Sequence, residues 1–371
     1  MNQQLLDVLS DRQATVFEDI VNNIQIQSKF RIVHSCYQPL ELDDEVVKKL
    51  EQLPSDIQHK YLRLQLQNFL YGIYFKGDLR TFLANDETLN HSLHSETLEH
   101  NHTLDSDKAS FRRLHESNCG DGYFDLGWRV VKKESDNIFS VHKNSLTLKI
   151  DRDRHLHTSQ GSVTVGNTVA VKMPRNLVEQ EFYVAVGNAG LAYLNDNCQT
   201  VNIYFNISFE GAVFITKSLT QQLNEIGIPF TFKVLYDPDN YERYDAGVLN
   251  FESDKYLVVR EILQPIWQKY HSYFGRETPF LTKLLAPGLS LAEVPSDRET
   301  LQNCFGINRC RILANALQEA WQNGNNSPNE RRIAIWEHFS SVGIDLKYPY
   351  LNANSKDVYL PLVFHDRAKI S

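Results

Sequence analysis

The chain has 371 residues, with 38 Lys and Arg against 46 Asp and Glu, a formal charge of −8 at neutral pH. Hydrophobic residues at 42% and charged residues at 23% are enough to bury a core, which excludes a disordered or collagen-like chain. The acidic balance excludes nonspecific nucleic-acid binding, which needs a clustered cationic surface.

No run approaches the ~20 apolar residues of a membrane span, so no membrane partner is expected. The opening MNQQLLDVLSDRQ lacks a basic segment followed by an apolar one, so it does not read as a signal peptide. The closing RAKIS carries no lipidation signal. A cytoplasmic location is the expectation. At ~100–200 residues per domain, two domains fit the length.

Residues 1 to about 85 read as mostly helical. LLDVLSDRQATVFEDIVNNIQI spaces its apolar residues as a helix does. Ser55, followed by Asp56, reads as the cap of a second helix, with Leu62, Leu66, Phe69, Leu70 and Ile73 on one stripe and Gly72 near its end. Residues 86–107, DETLNHSLHSETLEHNHTLDSD, have few apolar positions and predict a long polar loop. The organisation expected is a helical N-terminal region over 1–107, then an α+β domain over 108–371.

From about 120 the chain becomes strand-rich. YFDLGWRVVKK, NIFSVHK, SLTLKI, NTVAVKM and FYVAV are β-branched or aromatic runs set between turn residues. TVNIYFNIS alternates, with Val201, Ile203, Phe205 and Ile207 on one face and Asn202, Tyr204, Asn206 and Ser208 on the other. A helix ending near Gly227 follows, then a strand with Thr231 and Lys233 opposite Phe230, Phe232 and Val234. Another strand, AGVLNFE, leads into a helix with Ser253 as its cap and Pro265 as a kink or stop. The Pro-punctuated TPFLTKLLAPGLSLAEVPSD precedes helices at about 297–322 and 328–341. The class predicted is α+β, a helical front before a mixed, largely antiparallel sheet flanked by helices.

Common catalytic motifs are missing: no GxxxxGK[ST], no GxGxxG after a strand, no GxSxG and no HExxH. Five widely spaced cysteines without a CxxC read as ordinary thiols. His91, His94, His100 and His102 have metal-compatible spacing, but a polar loop gives ligands no fixed geometry. No metal and no cofactor are expected. His155 and His157 would share a side if extended, and a solvated turn is the preferred reading. Lys172, Arg175, Lys233, Arg243, Lys283 and Arg309 stand beside strand ends and Gly or Pro turns. Each alone reads as a surface cation. Together they predict one local pocket for an anion.

The blocks FLYGIYF, ESNCGDGYFDLGW, VKMPRN, FYVAVGN, IYFNISFEGA, PFTFKVLYDPDNYERYDAGVL, FLTKLLAPGLSLAE, CFGINRCRI and PYLNANSKDVY resemble, in order, those of the HopA type III effector family. That family includes injected effectors and stand-alone bacterial proteins. Some members are similar in role to phosphothreonine lyases of ribosomal peptide biosynthesis. There a partner kinase phosphorylates Ser or Thr and the lyase eliminates phosphate. The unit IYFNIS–helix–PFTFKVL also resembles the lyase domain of lanthipeptide synthetases, over about 60 residues by position.

The resemblance implies a metal-independent carbon–oxygen lyase acting on a phosphorylated peptide or protein. It also implies one departure. Where those lyases carry Lys-x-His-x-Ser, this chain has Tyr204, Asn206 and Ser208. The base would then fall to Lys233 or Lys172, with Tyr204 and Asn206 in supporting catalytic roles. Arg175, Arg243, Lys283 and Arg309 would clamp phosphate. Elimination needs such a base, a phosphate clamp and stabilisation of developing enolate charge. The alternative is a non-catalytic phosphopeptide- or protein-binding module, an effector-like pseudo-lyase.

Overall fold

The polar alternation of TVNIYF does form a strand, but one covered on both faces. In the computed structural model, residues 11–77, 104–157, 163–179, 181–192, 198–295, 304–324 and 326–363 are described. They form nine helices and three antiparallel sheets, an α+β fold.

The N-terminal part differs from the helical expectation. Helix α1 (Asp11–Asn23) stops where alternation begins. Ile24 and Ile26, then Ile32 and His34, point inward from a three-stranded meander, β1 (Ile24–Ser28), β2 (Arg31–His34) and β3 (Tyr37–Glu41). A period of two over β-branched residues is a strand signal that the preceding helical spacing masks. Helices α2 (Asp44–Glu51) and α3 (Ser55–Leu70) follow. Ser55 makes no capping bond; its hydroxyl accepts from the Lys29 ammonium instead. Beyond Leu70 the helix widens into a π turn, Tyr71–Lys76, which passes Gly72 and ends at Gly77. Gly77 has φ +77°, and a Cβ there would lie 2.5 Å from the Tyr244 ring. Both the backbone and the space therefore require glycine.

The expected polar loop at 86–107 falls outside the described residues up to 103, as do His91, His94, His100 and His102. Helix α4 (Leu104–Ser117) leads to a four-stranded sheet, ordered β6-β5-β4-β7, made of β4 (Tyr123–Lys133), β5 (Ile138–Lys143), β6 (Leu146–Asp151) and β7 (Thr168–Met173). It has its own core around Trp128, Val130, Phe139, Val141, Ile150 and Val171. A short helix, α5 (Arg152–His155), occupies the place read as an extended turn. His155 therefore bonds local backbone, while His157 meets the Phe124 ring edge-on at 5.4 Å.

A seven-stranded sheet is the centre of the molecule. Its strands are β8 (Asn176–Val178), β9 (Phe182–Val186), β10 (Thr200–Phe205), β11 (Phe230–Leu235), β12 (Gly247–Glu252), β13 (Lys283–Ala286) and β14 (Leu289–Glu293). Their spatial order is β13-β14-β10-β12-β11-β9-β8. Val201, Ile203 and Phe205 align with Leu249, Phe251, Leu289 and Leu291, all fully buried. They share one core with α6 (Phe209–Glu225) and α7 (Tyr256–Tyr270). Ser208 caps α6 by accepting from the Gly211 N–H, and α7 begins only at Tyr256 and runs on through Pro265.

Helices α8 (Phe305–Gln322) and α9 (Pro328–Ser341) complete the fold. Helix α8 packs against α3 and the π turn, and α9 against α1. Arg331 of α9 donates to the Val21 and Ile24 carbonyls, which ties the C-terminal helices to the N-terminal sheet. One core therefore joins residues 17–75 to the central sheet. No described helix is long and apolar enough to cross a membrane.

Candidate functional site

A cleft of about 540 Å³ opens where α1, the π turn, the 277–284 segment and residues 347–350 meet. Arg12 of α1 donates to the Thr278 hydroxyl and carbonyl, each at 2.9 Å, and pairs with Glu277. The Phe280 N–H donates to the Tyr74 carbonyl at 3.0 Å, anchoring the loop to the π turn. Leu281 holds φ +65°, uncommon for a branched residue and a form of strain that persists only where packing enforces it. Its side chain is buried. Tyr74, Tyr244, Tyr348 and Tyr350 line the cleft together with Lys283 and Lys347. Such walls suit an extended segment with both aromatic or apolar and anionic groups.

Lys283 is the one expected phosphate ligand that lines this cleft. Its ammonium pairs with Asp357, which also accepts from the Tyr350 hydroxyl at 2.7 Å. Burial alone would raise the Asp357 carboxyl; Lys283, Tyr350 and the Tyr359 N–H outweigh it and hold the group below its usual range. Asn206 reaches the rim, donating to the Glu277 carbonyl at 3.0 Å.

Tyr204, Arg243 and Arg309 are brought instead to a polar tract with Tyr71 and Asp245, with the exposed Cys304 at its edge. The polar face of β10 meets the π turn and α8, not water. Tyr204 lies edge-on to Phe75 at 5.4 Å and accepts from Asn202 at 3.3 Å. Burial, reinforced by Cys304, pushes its phenol up. Arg243 grips both oxygens of Asp245 at 2.9 and 3.1 Å and reaches Glu181 at 2.8 Å. Arg309 is 2% exposed and donates to the Pro349 and Leu351 carbonyls, both at 2.8 Å. Burial pulls its guanidinium down to about 10, still charged at neutral pH.

The other cations are dispersed. Lys233 on β11 pairs with Glu179 at 2.7 Å. Arg175 donates to the His115 and Asn118 carbonyls at 3.1 and 3.0 Å. Lys172 belongs to the separate four-stranded sheet. Lys283 stands on one edge of the seven-stranded sheet and Arg175 beside the other, six strand intervals apart, roughly 29 Å at ~4.8 Å per interval. The described residues hold no cluster of three or more His, Cys, Asp or Glu suited to a metal.

Residues 173–351, from the end of β7 through Leu351, match the model of the HopA1 effector protein family. Over this segment the chain is similar to that family. The effector protein from Pseudomonas syringae pv. tomato strain DC3000 aligns with a TM-score of 0.38 at 13% identity, over 67% of this chain and 82% of its own. The effector protein from Pseudomonas syringae pv. syringae strain 61 aligns with a TM-score of 0.40 at 11% identity, with the same two coverages. No curated protein matches.

The HopA1 segment supplies most of the cleft: Tyr244, residues 277–284, Lys347, Tyr348 and Tyr350. Arg12, Gln13, Val16 and Tyr74 come from outside it. Sequence reasoning found Lys283 but missed the tyrosines and Lys347. The one signal available was the Pro-punctuated TPFLTKLLAPG, whose turns bring polar side chains to a sheet edge.

Proposed function

We propose that this protein, similar to the HopA1 family over residues 173–351, is a non-catalytic binding module that takes an extended, anionic segment of a partner protein, such as a phosphorylated peptide, in the cleft beside Lys283. One observation carries this reading: Lys233, Arg243 and Arg309, which elimination would need as base and clamp, are each bound by groups of the chain itself. An ammonium paired with a carboxylate is not a free amine base, and a guanidinium held by two carboxylates has little left for a dianion. The cleft offers phenols, hydroxyls and the ammonium groups of Lys347 and Lys283, the latter shared with Asp357, around a concave wall.

The lyase alternative keeps Lys233 or Lys172 as base, Tyr204 and Asn206 as supporting groups, and Arg175, Arg243, Lys283 and Arg309 as the phosphate clamp. A partner kinase would then supply its substrate. One experiment separates the two. A phosphothreonine peptide is titrated by calorimetry, and the mixture is followed for hours by mass spectrometry. The binding reading expects heat of association, weakened about tenfold or more by Lys283→Ala with Lys347→Ala, and an unchanged peptide. Loss of phosphoric acid from the peptide, abolished by Lys233→Ala, would establish the lyase instead.

A further inference from the structure

The four-stranded sheet turns one face to its small core and leaves the other open. Register identifies the open face. Arg129 pairs with His142 and Thr168, Lys132 with Ser140, Ser140 with Lys149, and Phe124 with Lys172. Directly paired residues point the same way. A bulge between Asp125 and Trp128 sets Leu126 and Gly127 opposite Ala170, on that same face. The Trp128 indole, on the core side, donates to the Asp125 carboxylate at 2.7 Å, as this register demands.

The face therefore carries Arg129, Lys132, Lys149 and Lys172 beside two apolar side chains, Phe124 at 41% and Leu126 at 70% exposure. Arg129, Lys149 and Lys172 make no ion pair among the described residues. Carboxylates near the face have partners of their own among the described residues. Glu134 is taken by Lys132 at 2.6 Å and by the Ser140 hydroxyl at 2.9 Å, and Asp151 caps α5. Residues 121–173 hold eight Lys and Arg against six Asp and Glu, within a chain whose remainder has 30 against 40.

We infer that this sheet face is a docking surface for an acidic patch on a partner protein, with Leu126 and Phe124 as apolar anchors inside a ring of cations. Buried apolar anchors with charged surroundings are the usual anatomy of such contacts, and complementary charge sets their specificity. Finite size favours a protein over other polyanions. An anionic bilayer is wider than the face and would also meet the acidic remainder of the molecule. A single nucleic-acid strand needs a row of stacking rings; Phe124 is one ring, already met edge-on by His157, and Leu126 adds none. The surface is independent of the cleft, so neither proposal depends on the other.

The test uses the full chain and a synthetic Glu-rich peptide containing leucines, labelled for fluorescence anisotropy. Carbodiimide then couples peptide carboxylates directly to lysines, and the sites are mapped by mass spectrometry. Coupling concentrated at Lys132, Lys149 and Lys172 is expected. So is an affinity that falls with added salt, that drops roughly tenfold in R129E/K149E/K172E, and that weakens in Leu126→Ala. Lys48→Glu with Lys49→Glu, on α2, should bind as the parent does. Absence of binding, coupling scattered over Lys48, Lys49 and Lys217, or an undiminished triple variant would overturn the proposal. So would tighter binding to anionic vesicles or a single-stranded oligonucleotide than to the peptide. Because coupling is read on the unmodified chain, misfolding of a variant does not spare the proposal.

Discussion

Asp357 pairs with Lys283, so the cleft's own cation already holds a carboxylate supplied by the C-terminal segment. Tyr350 donates to the same Asp357 oxygen at 2.7 Å. An incoming anionic group must displace or join this internal one. Asp357→Asn should therefore raise phosphopeptide affinity, by roughly fivefold on the scale of partly exposed ion pairs. Calorimetry of the variant against the parent measures it. Equal or weaker binding would move the anion site away from Lys283.

Acid stability reports on the N-terminal meander. The His34 imidazole is enclosed, with Nδ1 accepting from the Cys36 N–H at 3.0 Å and Nε2 facing Asp19 at 3.3 Å and the Tyr74 hydroxyl at 3.1 Å. Burial lowers its pKa, against an opposing pull from Asp19. In the unfolded chain the group takes a proton near ~6.5. Between the two values the unfolded state binds more protons, so stability is present above about pH 6.5 and is lost as pH falls toward the folded value. His115, lowered by burial and by Arg175, acts in the same sense. Urea midpoints should fall between about pH 7.5 and 5.5, and less steeply in His34→Gln.

The junction between the π turn and the 244 segment should tolerate no side chain at Gly77. Alanine there combines a left-handed backbone with a Cβ 2.5 Å from the Tyr244 ring. A loss of about 2–4 kcal/mol is expected in chemical denaturation, the sum of backbone strain and overpacking. A loss under ~0.5 kcal/mol would mean that Tyr244 swings away and that the backbone at 77 relaxes out of the left-handed region.

Arg309 is a structural cation. Arg309→Met removes the donors that satisfy the Pro349 and Leu351 carbonyls, at a cost of about 2–5 kcal/mol. Thermal unfolding of the variant checks this. Any loss of function in Arg309→Met should track unfolding, whereas Lys283→Ala should lose binding with the fold intact.

The sequence alone determined the class, most strand and helix positions in the central unit, and the family resemblance. Alternation in TVNIYF and the glycine that ends the following helix, Gly227, are local signals, readable from neighbours in the chain. The meander at 24–41 was hidden because its short strands follow directly on a helix. What only the tertiary structure decided is which polar groups face water and which face each other. Tyr204 lies on the polar side of that alternation, yet the π turn and α8 cover it. The cations looked available until Glu179, Asp245, Asp357 and backbone carbonyls took them. Arg12 meets Thr278 across 266 positions. Hydrogen-bond and ion-pair satisfaction is settled by such distant pairings, because a buried polar group must find its partner wherever the fold places one.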